Sequence, residues 1–300
     1  MARKPYSRIN DIRSGTASDV ITKGCLVLEG GAFRGLYSQG AMDALMENDI
    51  NFECIIGVSA GALGGMNYAS GQIGRSARVN LGYRFDSDYI GLKSLLHAHS
   101  PIRLDFCLYD YQEIEPFDKE RFYSPDRRFV AVATNCKTGE AEFFEKGKCR
   151  DIFRAVKASA SMPYISQMVN VDGKQCLDGG CSCKIPYKWA MDEGYQKIVV
   201  IRTREKDFRK EVKEHHSVLD PYRKFPEFYK KLISSDEEYN KTCVEMEELE
   251  KEGKLFVLYP STKVTVSRVD KDIEKLGALY WQGYNDCLDR MDELKKYLEN

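Results

Sequence analysis

The 300-residue chain sets 45 Lys and Arg against 46 Asp and Glu, which excludes the basic field of a nucleic-acid binder and offers no polybasic run for an anionic membrane surface. No stretch approaches the roughly 18 apolar residues of a membrane span, and Met1 to Val20 lack the apolar core of a secretory signal. Ten cysteines in such a chain read as reduced thiols in a cytoplasmic setting, and the length holds one large α/β domain or two smaller ones.

In chain order, residues 1–22 read as a loosely docked arm and 23–300 as a single domain. Cys25-Leu26-Val27-Leu28 is a short apolar run, the mark of a buried strand. It ends at Glu29-Gly30-Gly31-Ala32-Phe33-Arg34-Gly35, and a helix is expected from about Leu36 to Glu47. A second apolar run enters Gly57-Val58-Ser59-Ala60-Gly61, after which Ala62 to Met66 continue as a helix. This βαβα opening predicts a parallel sheet with helices on its faces.

Residues 72–128 carry an aromatic insertion, including Tyr83, Phe85, Tyr89, Phe106, Tyr109, Tyr111, Phe117, Phe122 and Tyr123. These rings either pack short helices over the sheet or line an apolar acyl pocket, and both uses are compatible. Arg128–Thr134 is a strand, Lys137–Glu140 a turn, Ala141–Phe144 its partner, and Asp151–Ser159 a helix that stops at Pro163. Gln167–Val171 and Lys174–Leu177 form a hairpin around Asp172-Gly173 with a type I′ turn. A strand at Gln196–Ile201, a charged and solvated helical excursion over 203–254, a strand at Leu255–Tyr259 and a long amphipathic helix over 270–299 complete the chain.

Gly57-Val58-Ser59-Ala60-Gly61 has the strand–turn–helix setting of a G-x-S-x-G nucleophile elbow. A serine on so sharp a turn needs small neighbours at Gly57 and Gly61, and the N–H of Ala60 then faces a developing oxyanion. The Gly30–Gly35 loop admits two readings. A dinucleotide site would need glycine where Ala32 stands and an acid closing a strand about 20 residues on, whereas Asp49 follows a helix. A P-loop is excluded because no G-K-[ST] occurs. The favoured reading is an oxyanion hole built from Gly30, Gly31, Ala32, Arg34, Gly35 and Ala60, facing Ser59 across adjacent parallel strands.

A serine hydroxyl needs a base. The four histidines, His97, His99, His215 and His216, are poorly placed for a triad with Ser59. Asp172 is explained by its turn, but Asp178-Gly179-Gly180 is not, and its flanking glycines let Ser59 approach the carboxylate. Cys176, Cys181 and Cys183 miss the usual zinc spacings, so neither metal nor cofactor is expected.

The glycine loop, the Ser59 elbow and Asp178-Gly179-Gly180 together resemble the three ordered motifs of the patatin-like phospholipase family. The likeness extends to Thr134–Gly139, Ala158–Pro163 and the Pro260-Ser261 region, covers about residues 24–290, and looks closest to the bacterial cytoplasmic branch. It implies a three-layer α/β/α fold with a mainly parallel sheet, a Ser59–Asp178 dyad without histidine, and hydrolysis of lipid acyl esters. Ala32 departs from the pattern, since many relatives carry glycine there. Any membrane contact would be transient, through the rim of the cleft. The rival readings are an acyltransferase using the same serine and a non-catalytic lipid- or partner-binding module.

Overall fold

Alternation is what builds the layers. In the strand Thr22–Leu28, Cys25 and Val27 pack into one apolar cluster while Leu26 and Leu28 pack into another, on the opposite face. The same division runs through Ile198–Ile201 and Phe256–Leu258, so these strands are covered on both sides, as parallel strands are. The computed structural model describes residues 5–87, 89, 102–212 and 220–299.

The elements are β1 (Gly15–Thr16), β2 (Thr22–Leu28), α1 (Gly35–Glu47), β3 (Phe52–Val58), α2 (Ala60–Ala69), β4 (Gln72–Ile73) and α3 (Arg75–Gly82). After two short helices come β5 (Arg128–Asn135), β6 (Ala141–Glu145), α4 (Ile152–Ser159), β7 (Val169–Val171), β8 (Lys174–Asp178) and α5 (Tyr187–Asp192). The chain ends with β9 (Ile198–Ile201), α6 (Pro226–Lys251), β10 (Phe256–Leu258), α7 (Ile273–Asp289) and α8 (Met291–Glu299). The main sheet runs β10-β9-β2-β3-β5-β8-β7, with β6 also on β5. Strands β10, β9, β2, β3 and β5 are parallel to one another, and β6, β7 and β8 are antiparallel additions. Helices α1, α2, α4 and α7 cover one face; α5 and α6 cover the other. This is the expected three-layer α/β/α arrangement.

Local chemistry sets the boundaries. Asp151 caps α4 by accepting the Arg154 N–H at 3.0 Å. Asp172 and Gly173 both take positive φ, 49° and 85°, as a type I′ hairpin turn requires.

Three expectations are corrected. Residues 5–22 are docked, not loose: Tyr6, Ile12 and Ala17 are buried, and β1 pairs with β4. Within the 203–254 stretch, α6 is not wholly solvated, because it buries Phe228, Tyr239, Cys243 and Met246. Its many charges occupy the outer face, which masked the buried stripe in the sequence. The C-terminal amphipathic run is two helices that break at Arg290. The break lets Tyr297 turn back to accept the Ile198 N–H at 3.0 Å. Helix α7 lies along α1, where Tyr280 Oη donates to Asp43 at 2.8 Å and Tyr284 Oη to Glu47 at 2.8 Å.

Among the described residues of the aromatic insertion, several rings pack into the core, as expected. Phe117 and Phe122 join the main core, and Tyr83, Phe106 and Tyr111 cluster around Tyr89. Tyr89 also lines a cavity beside Ser59. All ten cysteines are free thiols, and no helix among the described residues is long and apolar enough to cross a membrane.

Candidate active site

Parallel pairing of β2 with β3, Leu28 opposite Gly57, brings the loops that follow them to one sheet edge. Strand β8 delivers Asp178 to the same edge through its pairing with β5, Ala133 opposite Asp178. The Glu29–Gly35 loop leads to a helix on one face, while the chain after β9 leads to α6 on the other. A crevice opens where two such neighbouring loops diverge.

Ser59 holds φ 57° and ψ −120°, a region that costs a non-glycine residue about 1–3 kcal/mol. The strain is held by packing and by one bond: the Ser59 N–H donates to Ser159 Oγ at 2.8 Å, which itself donates to the Val132 carbonyl. The elbow is as tight as its spacing predicts. A Cβ on Gly57 would lie 2.5 Å from the Gly61 carbonyl carbon, and one on Gly61 would lie 2.5 Å from the Leu28 oxygen.

Ser59 Oγ donates to Asp178 Oδ2 at 2.7 Å. The other carboxylate oxygen accepts the Gly180 N–H at 2.8 Å. The Asp178 backbone is fixed by its N–H to the Ser161 carbonyl and by Thr134 Oγ1 on its own carbonyl, both at 2.8 Å. Ser59 and Asp178 are each only 8% exposed. Burial pushes the Asp178 carboxyl above its ordinary value, against the hydrogen bonds from Ser59 and Gly180 that favour its charge.

The glycine loop lies across from the elbow, with Gly30 against Ser59, Gly31 against Thr203 and Gly35 against Ala60, while Gly179 sits under the Val132 carbonyl. Ala32 opens a single 3-10 turn and Ala60 opens α2. The first N–H groups of a helix have no intrahelical acceptor, and both residues line the space at Ser59. Ala32 takes φ 50°, the left-handed region where a glycine would be unstrained. Arg34 is buried, its Nε donating to the Gly31 carbonyl at 3.4 Å. Every residue expected at the site converges here, whereas the four histidines lie outside the described residues.

Two spaces meet at Ser59 and Ala32. One is narrow, about 70 Å³, and lined by Leu63, Met66, Val79, Tyr89, Leu104 and Leu108. The other is a wide cleft of about 710 Å³ between the glycine loop, Asp178 and α6. Sequence reasoning missed the supports: Ser159 under the elbow, Thr134 under Asp178, and Thr203, which donates through N–H and Oγ1 to the buried Glu29 carboxylate. It also missed Arg204, Lys210 and Arg268 on the cleft wall. Ser159 stands in the small-residue run before Pro163, a hydroxyl among alanines, and that was the only sign of it.

The fold and this edge define an α/β/α protein that presents a serine on a strained strand–helix elbow beside a buried aspartate. Residues 26–191 match the model of the patatin-like phospholipases, described as "Patatin-like phospholipase", and the chain belongs to that family. Residues 225–299 match a domain of unknown function, DUF6363. The uncharacterized protein YjjU of Escherichia coli (strain K12) is 27% identical over 183 residues, 59% of this chain and 51% of that protein. The chain thus spans about half the length of this curated relative. The crystal structure of VipD from Legionella pneumophila aligns with a TM-score of 0.49 at 15% identity, over 93% of this chain and 68% of VipD.

Proposed function

We propose that this protein is a serine acyl-ester hydrolase of lipids, with Ser59 as nucleophile and Asp178 as general base. The observation that carries the reading is the 2.7 Å bond from Ser59 Oγ to Asp178 Oδ2, made by a serine on a strained elbow beside an apolar cavity. Asp178 takes the Ser59 proton as Oγ attacks the ester carbonyl carbon. The N–H groups of Gly31, Ala32 and Ala60 stabilise the resulting oxyanion, and losing one such donor typically costs about 10²–10³ in rate. The carbonyl re-forms as the alkoxide leaves with the proton from Asp178, giving an acyl-Ser59 ester. Asp178 then takes a proton from water, whose oxygen attacks that ester, and returns it to Ser59 as the fatty acid departs.

The narrow cavity would hold the acyl chain, and exposed Tyr164 and Val269 at the cleft mouth suit transient contact with a lipid surface. We read the 23–300 segment as one catalytic unit, because β9 and β10 complete the sheet that carries Ser59.

Labelling with a fluorophosphonate probe tests the nucleophile. Wild type reacts, in buffer or with micelles, and Ser59→Ala does not. A folded wild type that stays unlabelled in both conditions overturns the proposal.

A further inference from the structure

The wide cleft is lined by five cations, Arg34, Lys184, Arg204, Lys210 and Arg268, against three carboxylates, Glu29, Asp178 and Asp236. Each carboxylate is already committed. Glu29 accepts from Thr203, Asp178 from Ser59 and Gly180, and Asp236 pairs with Lys210 at 2.6 Å, with Lys184 at 3.9 Å. Among the described residues, no carboxylate forms an ion pair with Arg34, Arg204 or Arg268. Arg34 is 8% exposed, and among the described residues its guanidinium makes one hydrogen bond, the 3.4 Å contact to the Gly31 carbonyl. Arg204 gives one terminal nitrogen to the Val264 carbonyl at 2.7 Å, and its buried Nε has no acceptor. A buried cation without a counter-ion is costly; that applies to Arg34 and to the buried Nε of half-buried Arg204, while Arg268 is exposed and adds its charge from the rim of the wall that holds Ser59.

The protonation balance agrees. Burial first, and the Arg204 charge second, pull Arg34 down to about 10, and burial followed by Lys210 pulls Lys184 down to about 7. An anion in the cleft would relieve both.

We propose that the cleft selects acyl esters whose head group carries an anionic, phosphate-type charge, and that Arg204, Lys210 and Arg268 set this preference with Arg34 and Lys184. The inference rests on the reading of Ser59 as nucleophile. Three of the five cations lie beyond residues 26–191, and Arg268 lies in the 225–299 segment whose function is unknown. That segment also contributes Leu232, Asp236 and Tyr239 to the wall. It therefore acts as the head-group wall of the site. Because the apolar cavity and the cleft share Ser59 and Ala32, one ester can send its acyl chain into the first and its head into the second. A head group that adds a quaternary ammonium would bring a like charge among the same arginines.

The test compares kcat/KM for a monoacylglycerol phosphate, the matching monoacyl glycerophosphocholine and the uncharged monoacylglycerol, all below their micelle concentrations. A charged hydrogen bond is worth roughly 1.5–3 kcal/mol, so wild type should favour the phosphate ester over the choline ester at least about tenfold. The preference should shrink with added salt. In Arg204→Gln/Arg268→Gln the ratio should fall about tenfold, with Arg268→Lys between. A wild type without the preference, or a double variant that keeps it, overturns the proposal.

Calorimetry on Ser59→Ala separates this inference from the catalytic one. If no ester is hydrolysed, the hydrolase reading fails, and binding alone decides the cleft. Binding of the monoacylglycerol phosphate that is lost when Arg204→Gln/Arg268→Gln is added supports the proposal. Absent binding, or binding unaffected by the arginines, overturns it. Inorganic phosphate bound as tightly as the acylated compound would assign the cleft to a free anion and overturn the head-group assignment.

Discussion

The two flanks of Ser59 are built by different means. The flank toward the narrow cavity comes from the family-matched half, where α2 and α3 supply Leu63, Met66 and Val79 and are joined by Leu104, Leu108 and Met162 from further along the chain. The flank toward the cleft is assembled from the loop after β2, the chain after β9, α6 and the stretch before α7. The near flank is mainly apolar, and its one arginine, Arg75, donates to Asn67 at 2.7 Å. The far flank holds arginines with no carboxylate partners among the described residues. A site of this kind separates chemistry, fixed by local backbone geometry, from recognition, fixed by residues brought together over long sequence distances.

The largest effect should come from the carboxylate that bonds the serine both flanks share. Asp178→Asn should lower kcat by about 10⁴-fold, by analogy with loss of the triad carboxylate in serine proteases. The sign for stability is opposite. Folding raises the Asp178 pKa, so the folded state binds its proton more tightly than the unfolded chain, and stability falls as pH rises through that raised value. At pH 7 the neutral amide removes that penalty, and the thermal midpoint of the variant should equal or exceed that of wild type. In wild type, kcat/KM should fall on the acid side with a midpoint above the ordinary carboxyl value of 3.8. An active Asp178→Asn, or one whose inactivity merely follows unfolding in circular dichroism, would break the dyad assignment.

Next in size is the support beneath the elbow. Ser159→Ala leaves the Ser59 N–H and the Val132 carbonyl without their partner, a loss of about 1–3 kcal/mol for buried groups. The elbow is already strained, so the loss should fall on kcat, by about tenfold or more, with KM little changed. Urea denaturation and steady-state kinetics would check both halves. A variant that loses stability but keeps its kcat would make Ser159 a structural prop only.

How much of this was legible follows the same contrast. The elbow, the glycine loop and Asp178-Gly179-Gly180 were readable because steric demand concentrates small residues at fixed spacing; Gly57 and Gly61 admit no Cβ whatever the rest of the chain does. The parallel sheet was readable because doubly covered strands such as Ile198–Ile201 are uniformly apolar. The cleft wall was not. Arg204, Lys210 and Arg268 are ordinary charged residues, and only the pairing of β9 with β2 brings them opposite the glycine loop. Helix α6 was misread for a related reason, since four buried residues over 26 positions leave a weak apolar stripe among Lys and Glu. The docked N-terminal segment depends on a two-residue strand pair, too short to leave a pattern.

A smaller effect sharpens the apolar side. Val79 lines the narrow cavity and is 5% exposed. Val79→Phe should shorten the space available, lowering kcat/KM for long acyl esters relative to short ones by about tenfold, within the range one pocket change provides. A chain-length series of p-nitrophenyl esters reads this directly. An unchanged profile would move the acyl chain out of this cavity.

The smallest effect concerns Ala32, a non-glycine residue held at positive φ. At φ 50° a Cβ costs roughly 1 kcal/mol, while glycine loosens the unfolded chain by a comparable 0.4–1 kcal/mol. Ala32→Gly should therefore change stability by less than about 0.5 kcal/mol, because the two terms oppose each other. Ala32→Val separates them, since a β-branched residue at positive φ is a genuine outlier. Its larger loss of stability should come with a lower kcat, because relaxing φ swings the Ala32 N–H away from the carbonyl oxygen at Ser59. If Ala32→Val keeps full kcat while losing stability, the oxyanion is held by Gly31 and Ala60, and the backbone of residue 32 serves the turn alone.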